Sequence, residues 1–126
     1  MERIETEYGY KKIYSNGDKL HFNHKDEFHN PNGPAVKNTY GHKEYYINGV
    51  LHNPSGPAVE WPNGSKEYYL NGVRHRSESD WGPAIDSLNG KKAYYKNGKL
   101  HNPQGPAIVT KNHKLNFLNG KYVWQE

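Results

Sequence analysis

Cysteine is absent from the 126 residues, which excludes disulfides and thiolate metal sites. Apolar residues are scarce, since 33% of the chain is hydrophobic and the mean hydropathy is −1.17. No stretch approaches the length of a membrane span, and the first residues lack the apolar segment of a secretory signal. We therefore expect a soluble, cytoplasmic protein.

Aromatic residues are plentiful, and this argues against disorder. Aromatics make up 13% of the chain, with 11 tyrosines against 3 phenylalanines, whereas disordered chains are usually poor in them. A tyrosine can bury its ring and keep its hydroxyl in water, which suits a thin fold. The net charge of +4 permits an acidic partner without the large excess typical of strong nucleic-acid binders.

A repeat of about 23 residues organises the chain, and a period of this size is typical of repeat arrays. Histidines that recur at intervals of 23, 23 and 26 residues open the units. They are His29, His52, His75 and His101. We divide the single domain 1–126 into a degenerate N-terminal cap at 1–28, repeats at 29–51, 52–74, 75–100 and 101–122, and a C-terminal tail at 123–126.

Asn-Gly pairs mark two turns in each unit. Asn and Gly both tolerate positive φ, which a type I′ hairpin turn requires. The residues between Asn63-Gly64 and Asn71-Gly72 suffice for one strand and are too few for a helix. The partner strand begins at Gly-Pro-Ala-Val or Gly-Pro-Ala-Ile. The predicted fold class is all-β, an extended open meander of tandem β-hairpin repeats in a single-layer sheet.

The stretch from Pro62 to His75, PNGSKEYYLNGVRH, resembles the MORN (membrane occupation and recognition nexus) repeat. The shared features are a D/N-G turn, an aromatic strand, a second N-G turn and a histidine, and the resemblance covers about residues 29–122. It implies single-layer sheets that serve as scaffolds for protein partners and sometimes lipids. The chain departs from that family in its Tyr-Tyr pair and in His-Asn-Pro-x-Gly-Pro-Ala, where MORN units have Tyr-x-Gly-x-Trp and His-Gly-x-Gly.

A divergent MORN-like type with "NGxxH…GPA" units is more similar. That type is associated with bacteriophages, large DNA viruses and bacteria. The resemblance implies a viral accessory protein that binds and inhibits or redirects a host defence protein, in the host cytoplasm.

The third unit is longer than its neighbours and reads HRSESDWGPA from His75 to Ala84. An insertion in one repeat bulges from an edge of the sheet, and binding residues concentrate on such loops. Trp and Arg are enriched among interface hot spots. We predict that the protein partner is bound by Arg74, Arg76, Glu78, Asp80 and Trp81. The alternative is repeat decay, with Trp81 filling a gap.

Lysines and tyrosines in register offer a competing site for a nucleic acid or nucleotide. Alternation places Glu44 and Glu67 on the other face, so that the lysine face is expected to be basic. Basic and aromatic side chains together are what single-strand binders use, although repeated tyrosines are also typical of packing. This alternative site comprises Lys43, Tyr45, Lys66, Tyr68, Lys92 and Tyr94.

The recurring histidines have no local metal-coordination motif. We expect each imidazole to bond the backbone at a turn and to pack on a tyrosine, with no metal or cofactor. No nucleophile elbow or glycine-rich phosphate loop is present, so that no enzyme activity and no catalytic residue is predicted. Open sheet edges leave a homodimer possible, through an edge or a face. The leading hypothesis is a non-catalytic protein-binding module.

Overall fold

The computed structural model describes residues 1–76 and 80–123, and within them the chain forms short β-strands and no α-helix. The strands are β1 Glu2–Glu5, β2 Gly9–Ile13, β3 Lys19–Asn23, β4 Val36–Lys37, β5 Lys43–Glu44, β6 Tyr46–Ile47, β7 Val50–Leu51, β8 Val59–Glu60, β9 Lys66–Glu67, β10 Tyr69–Leu70, β11 Val73–Arg74, β12 Ile85–Asp86, β13 Lys92–Ala93, β14 Tyr95–Lys96, β15 Lys99–Leu100, β16 Ile108–Val109, β17 Lys114–Leu118 and β18 Lys121–Val123.

Twelve of these strands form one antiparallel sheet in the order β1-β2-β3-β4-β5-β8-β9-β12-β13-β16-β17-β18. The others form two-stranded hairpins, β6 with β7, β10 with β11, and β14 with β15. The strands of the main sheet therefore follow one another in chain order along an open meander. The predicted all-β fold class is confirmed. No helix in the described ranges is long and apolar enough to cross a membrane.

The chain bends at the first tyrosine of each Tyr-Tyr pair, where a continuous strand was predicted. In the second repeat the Tyr68 N–H donates to the carbonyl of Ala84 at 2.6 Å, and its carbonyl accepts from the His75 N–H at 3.2 Å. The following pair, Tyr69–Leu70, leaves the main sheet and pairs with Val73–Arg74. Each repeat thus contributes to two hydrogen-bonded ladders.

The short hairpins carry the predicted type I′ turns. Their asparagines have φ between 47° and 51°, and the glycines that follow have φ between 79° and 82°. These asparagines are Asn48, Asn71, Asn97 and Asn119. The turn glycine also contacts the preceding hairpin, because a Cβ added at Gly98 would lie 2.7 Å from Cγ1 of Val73.

The prediction of type I′ turns is wrong for the other Asn-Gly pairs, which are Asn16-Gly17, Asn32-Gly33, Asn63-Gly64 and Asn89-Gly90. In three of them only the glycine has positive φ, as at Gly64 with 92°, and at Asn32-Gly33 neither residue does. The Asn63 side chain accepts the Ser65 N–H at 2.9 Å, and the Trp61 N–H donates to the Ser65 carbonyl at 2.9 Å. The asparagine therefore acts through its side chain, in a three-residue loop closed by a left-handed glycine.

The core is a row of alanines rather than a deep aliphatic layer. The alanine of each Gly-Pro-Ala motif is 0% exposed: Ala35, Ala58, Ala84 and Ala107. Tyr45 and Tyr68 donate their N–H groups to the carbonyls of Ala58 and Ala84, so that tyrosines and alanines alternate across neighbouring strands. Each repeat therefore covers one methyl group completely where its strand pairs with a neighbour.

In the N-terminal cap, phenylalanines continue the aromatic ladder. The ring centroids of Tyr10 and Phe22 lie 4.9 Å apart, those of Phe22 and Phe28 lie 5.1 Å apart, and Phe28 is 5.3 Å from Tyr46. Aromatic pairs at these distances stabilise beyond the area they bury. The cap is thereby joined to the first repeat through stacked rings.

Candidate functional site

The four repeat histidines bond the backbone at the type I′ turns, as predicted. Nδ1 of His29, His52, His75 and His101 accepts the N–H of Asn48, Asn71, Asn97 and Asn119 at 2.9, 2.9, 3.1 and 2.9 Å. The expected contact with a tyrosine ring is present at His29, which lies 6.0 Å from Tyr8, whereas His101 lies 6.4 Å from Trp81. In the described part of the chain, no group of three or more His, Asp or Glu residues is arranged to hold a metal.

In the long third unit, Arg76 replaces the asparagine that follows the histidine in the other repeats. The Asn53 amide donates to the Pro57 carbonyl at 2.9 Å and accepts the Ser55 N–H at 3.1 Å. The Arg76 guanidinium donates to the equivalent carbonyl, of Pro83, at 3.4 Å and lies 4.2 Å from the centre of the Tyr68 ring. Arg76 therefore supports the loop from inside.

Arg74 contacts two tyrosines. Its Nε donates to the Tyr69 hydroxyl at 3.2 Å, and its guanidinium lies 5.5 Å from the centre of the Tyr95 ring. The hydrogen bond to Tyr69 raises the pKa of Arg74, although burial acts in the opposite direction. Asp80, which is exposed, pairs with Arg76 at 3.2 Å. The predicted Glu78 and residues 124–126 of the predicted tail lie outside the described residues.

Trp81 borders a hollow on the surface. Its ring is half-buried, 6.2 Å from Tyr94 and 6.4 Å from His101. The hollow has a volume of about 220 Å³ and is lined by Trp81, Lys96, His101, Pro103 and Gln104. An indole, an imidazole and a proline ring thus provide apolar walls, with longer polar side chains beside them.

A larger hollow of about 560 Å³ opens where the cap meets the first repeat. The residues that line it include the charged Glu7, Lys25 and Glu27, with Tyr8 beside them. Because covering charged groups costs free energy unless they are paired, the smaller hollow at Trp81 is better suited to hold an apolar side chain.

The predicted lysine–tyrosine face is altered by the register of the sheet. Lys43, Lys66 and Lys92 do share a face, but Glu60 and Asp86 are their cross-strand partners. Lys43 Nζ lies 3.9 Å from a carboxylate oxygen of Glu60. Positive and negative charges therefore alternate along this row, because Glu60 and Asp86 lie between the three lysines.

The tyrosines of that face are buried or half-buried. Tyr68 is 8% exposed and covered by the Arg76 guanidinium, while Tyr45 and Tyr94 are half-buried. Burial, followed by the charge of Glu60, raises the pKa of Tyr45. Of the three rings, that of Tyr68 is therefore the most covered.

A polar cluster on the other face was not predicted. His42 Nε2 lies 2.5 Å from a Glu44 oxygen, and the Tyr46 hydroxyl donates to the other Glu44 oxygen at 2.9 Å. Burial and this hydrogen bond raise the pKa of Tyr46 to about 12. The Trp61 ring lies 4.8 Å from His42. The alternation His42-x-Glu44-x-Tyr46 is the sequence signal that could have indicated it.

His21 makes the stability of the fold dependent on pH. Burial lowers the pKa of His21 below its usual 6.5, and the charges of Lys11 and Lys19 lower it further. The unfolded chain therefore takes up a proton near pH 6.5 that the folded chain accepts only at lower pH. We expect the free energy of unfolding to decrease as the pH falls below 6.5, and less so in His21→Gln.

Urea unfolding of the two proteins, measured across that range, checks this prediction. The two proteins differ at His21 alone, so the difference between the two curves isolates the contribution of His21. Parallel curves would contradict it.

Comparison of the chain with protein-family models, with curated proteins and with solved structures finds no match. Function is therefore inferred from the chain's own residues.

Proposed function

We propose that the protein is a non-catalytic protein-binding module whose partner inserts an apolar side chain into the hollow beside Trp81. The observation that carries the proposal is the half-buried indole bordering a hollow of about 220 Å³. Tryptophan is enriched among the residues that contribute most to protein interfaces, and such anchors act in preformed pockets. The likeness of the repeats to MORN scaffolds supports the same function and suggests a host protein as partner.

The proposed binding surface differs in part from the residues that the sequence predicted. Arg74 bonds the Tyr69 hydroxyl and Arg76 bonds the Pro83 carbonyl, so that the proposal assigns both arginines an intramolecular role. In their place His101, Pro103 and Gln104 lie beside Trp81, contributed by the next repeat. The proposed surface therefore spans two units and depends on the stacking of the array.

Selection of random linear peptides on the immobilised protein tests the proposal, with Trp61→Ala as the matched control. Trp61 is 44% exposed but bonds Glu67 through its indole N–H at 2.8 Å, away from the hollow. We expect selected peptides to share an apolar residue and to bind Trp81→Ala about 30-fold more weakly, the size of a hot-spot loss. Their affinity for Trp61→Ala should be unchanged.

Two results would contradict this assignment. Equal binding to Trp81→Ala and the wild type would show that the hollow is not the binding surface. Loss of binding in Trp61→Ala alone would indicate that the binding surface lies at the turns of the main sheet. The proposed protein-binding function would still hold. Circular dichroism of both variants confirms that they are folded.

A further inference from the structure

Basic side chains gather on one face at the N-terminal end of the main sheet. The register pairs Lys11 with His21, Lys19 with Lys37, and Lys37 with Lys43. Cross-strand partners in an antiparallel sheet share a face, as do alternate residues along a strand. These five residues therefore form a continuous group, here called the basic patch.

The basic patch is poorly neutralised. Within residues 1–76 and 80–123, Lys11, Lys19 and Lys37 form no ion pair, and Lys43 approaches Glu60 only at 3.9 Å. Farther along the same row Glu60 and Asp86 separate the lysines, as described above. Like charges directly opposite each other destabilise a sheet, so that lysines on three adjacent strands favour an external anion.

His21 responds to the same positive field. It lies on the patch between Lys11 and Lys19, and their charges, after burial, lower the pKa of its imidazole. The lysine charges thus act on a neighbouring group without being cancelled by carboxylates.

Two exposed tyrosines border the patch. Tyr40, 81% exposed, lies in the turn between Lys37 and Lys43, and Tyr14, 37% exposed, begins the turn that precedes Lys19. The two turns are side by side, because a Cβ added at Gly17 would lie 2.8 Å from Cγ2 of Thr39. Both are more exposed than Tyr68 of the repeats, and Tyr40 by far the more so.

We propose that the basic patch, with Tyr14 and Tyr40, binds single-stranded nucleic acid. The lysines contact phosphates along one strand, and the exposed tyrosines stack on bases. Because neighbouring strands lie about 4.8 Å apart, Lys19 and Lys43 are roughly 10 Å from each other. The flexible backbone of a single nucleic-acid strand can bridge that distance. A duplex hides its base faces, so that a single strand is favoured over it. This site is separate from the hollow at Trp81.

Fluorescence anisotropy with labelled oligodeoxythymidylate tests the proposal. If three lysines neutralise phosphates, raising the salt from about 50 to about 200 mM should weaken binding about 20-fold. The double variant Lys19→Glu/Lys37→Glu should bind at least tenfold more weakly at the lower salt concentration. It should remain folded, because it exchanges one like-charge pair, Lys19–Lys37, for another and turns the Lys37–Lys43 pair into an opposite-charge pair.

Matched controls separate the site from net charge. Lys111→Glu/Lys121→Glu changes the charge equally at the far end of the array, where both lysines are exposed, and should bind like the wild type. Tyr40→Ala should weaken binding at least fivefold, and Tyr40→Trp should restore it, as expected for stacking. Trp81→Ala should leave oligonucleotide binding unchanged.

Several outcomes would overturn the proposal. Equal losses in the two double-lysine variants would show a general charge effect. Poly-glutamate binding as tightly as the oligonucleotide, with Tyr40→Ala without effect, would identify the patch as a surface for acidic proteins instead. Duplex DNA binding as well as the single strand would exclude the stacking that distinguishes the proposed ligand.

Discussion

A protein carrying Gly9→Ala is expected to lose about 3 kcal/mol or more of its free energy of unfolding, an unusually large effect for one methyl group. Gly9 is buried at the start of β2, opposite Asn23 of β3. A Cβ at this position would lie 2.2 Å from the Phe22 carbonyl oxygen and 2.7 Å from the Asn23 Cα. These are backbone atoms, so a side-chain rotation cannot relieve the overlap, and β2 and β3 must separate.

Gly33→Ala is the matched control for this substitution. An added Cβ there has the Asn30 amide nitrogen as its nearest neighbour, at 3.6 Å, which is ordinary contact. Its free energy of unfolding should stay within about 0.5 kcal/mol of the wild type. Urea unfolding followed by circular dichroism measures both, and similar midpoints for the two variants would show that the β2–β3 pairing tolerates a side chain at Gly9.

The repeat architecture could be predicted because its signals are local. The histidines that open the repeats and the Asn-Gly pairs of the short hairpins recur in fixed order, and each His–Asn contact, such as His52 with Asn71, repeats once per unit. An interaction that recurs once per unit can be predicted from the period of the sequence.

The bend at Tyr68 could not be predicted from alternation. Glu67 and Tyr69 remain on one side, as their hydrogen bond at 3.3 Å shows, so that the period of two continues through the bend. What changes is the hydrogen-bond partner of the backbone, from the main sheet to Val73–Arg74, and side-chain periodicity does not encode that exchange.

The charge of the lysine face depended on the register between strands far apart in the sequence. Alternation correctly assigned Lys43 and Lys66 to one face but could not place Glu60 between them.

Arg76 is different, because it directly follows a repeat histidine as Asn53 does, and that position alone could have indicated its role within the loop.

The second large effect on the free energy of unfolding is expected at the buried alanine of a Gly-Pro-Ala motif. Ala58→Leu should lower the free energy of unfolding by about 2–3 kcal/mol, because the added carbons have no space between neighbouring strands. Ala58 is 0% exposed, and its carbonyl accepts the Tyr45 N–H at 2.7 Å while its own N–H donates to Glu67 at 2.9 Å. Backbone bonds on both sides fix its distance to each neighbour.

The variant Ala58→Gly distinguishes the effect of overpacking by leucine from the effect of losing the alanine methyl group. Removing the methyl should cost about 1 kcal/mol, from backbone entropy and lost burial, with the tyrosine rings left in place. If the core instead had room for larger side chains, leucine would bury more apolar surface and raise the urea midpoint above that of the wild type. A midpoint for Ala58→Leu below that of Ala58→Gly is therefore the result that identifies close packing around the buried alanine as the reason each unit carries Gly-Pro-Ala.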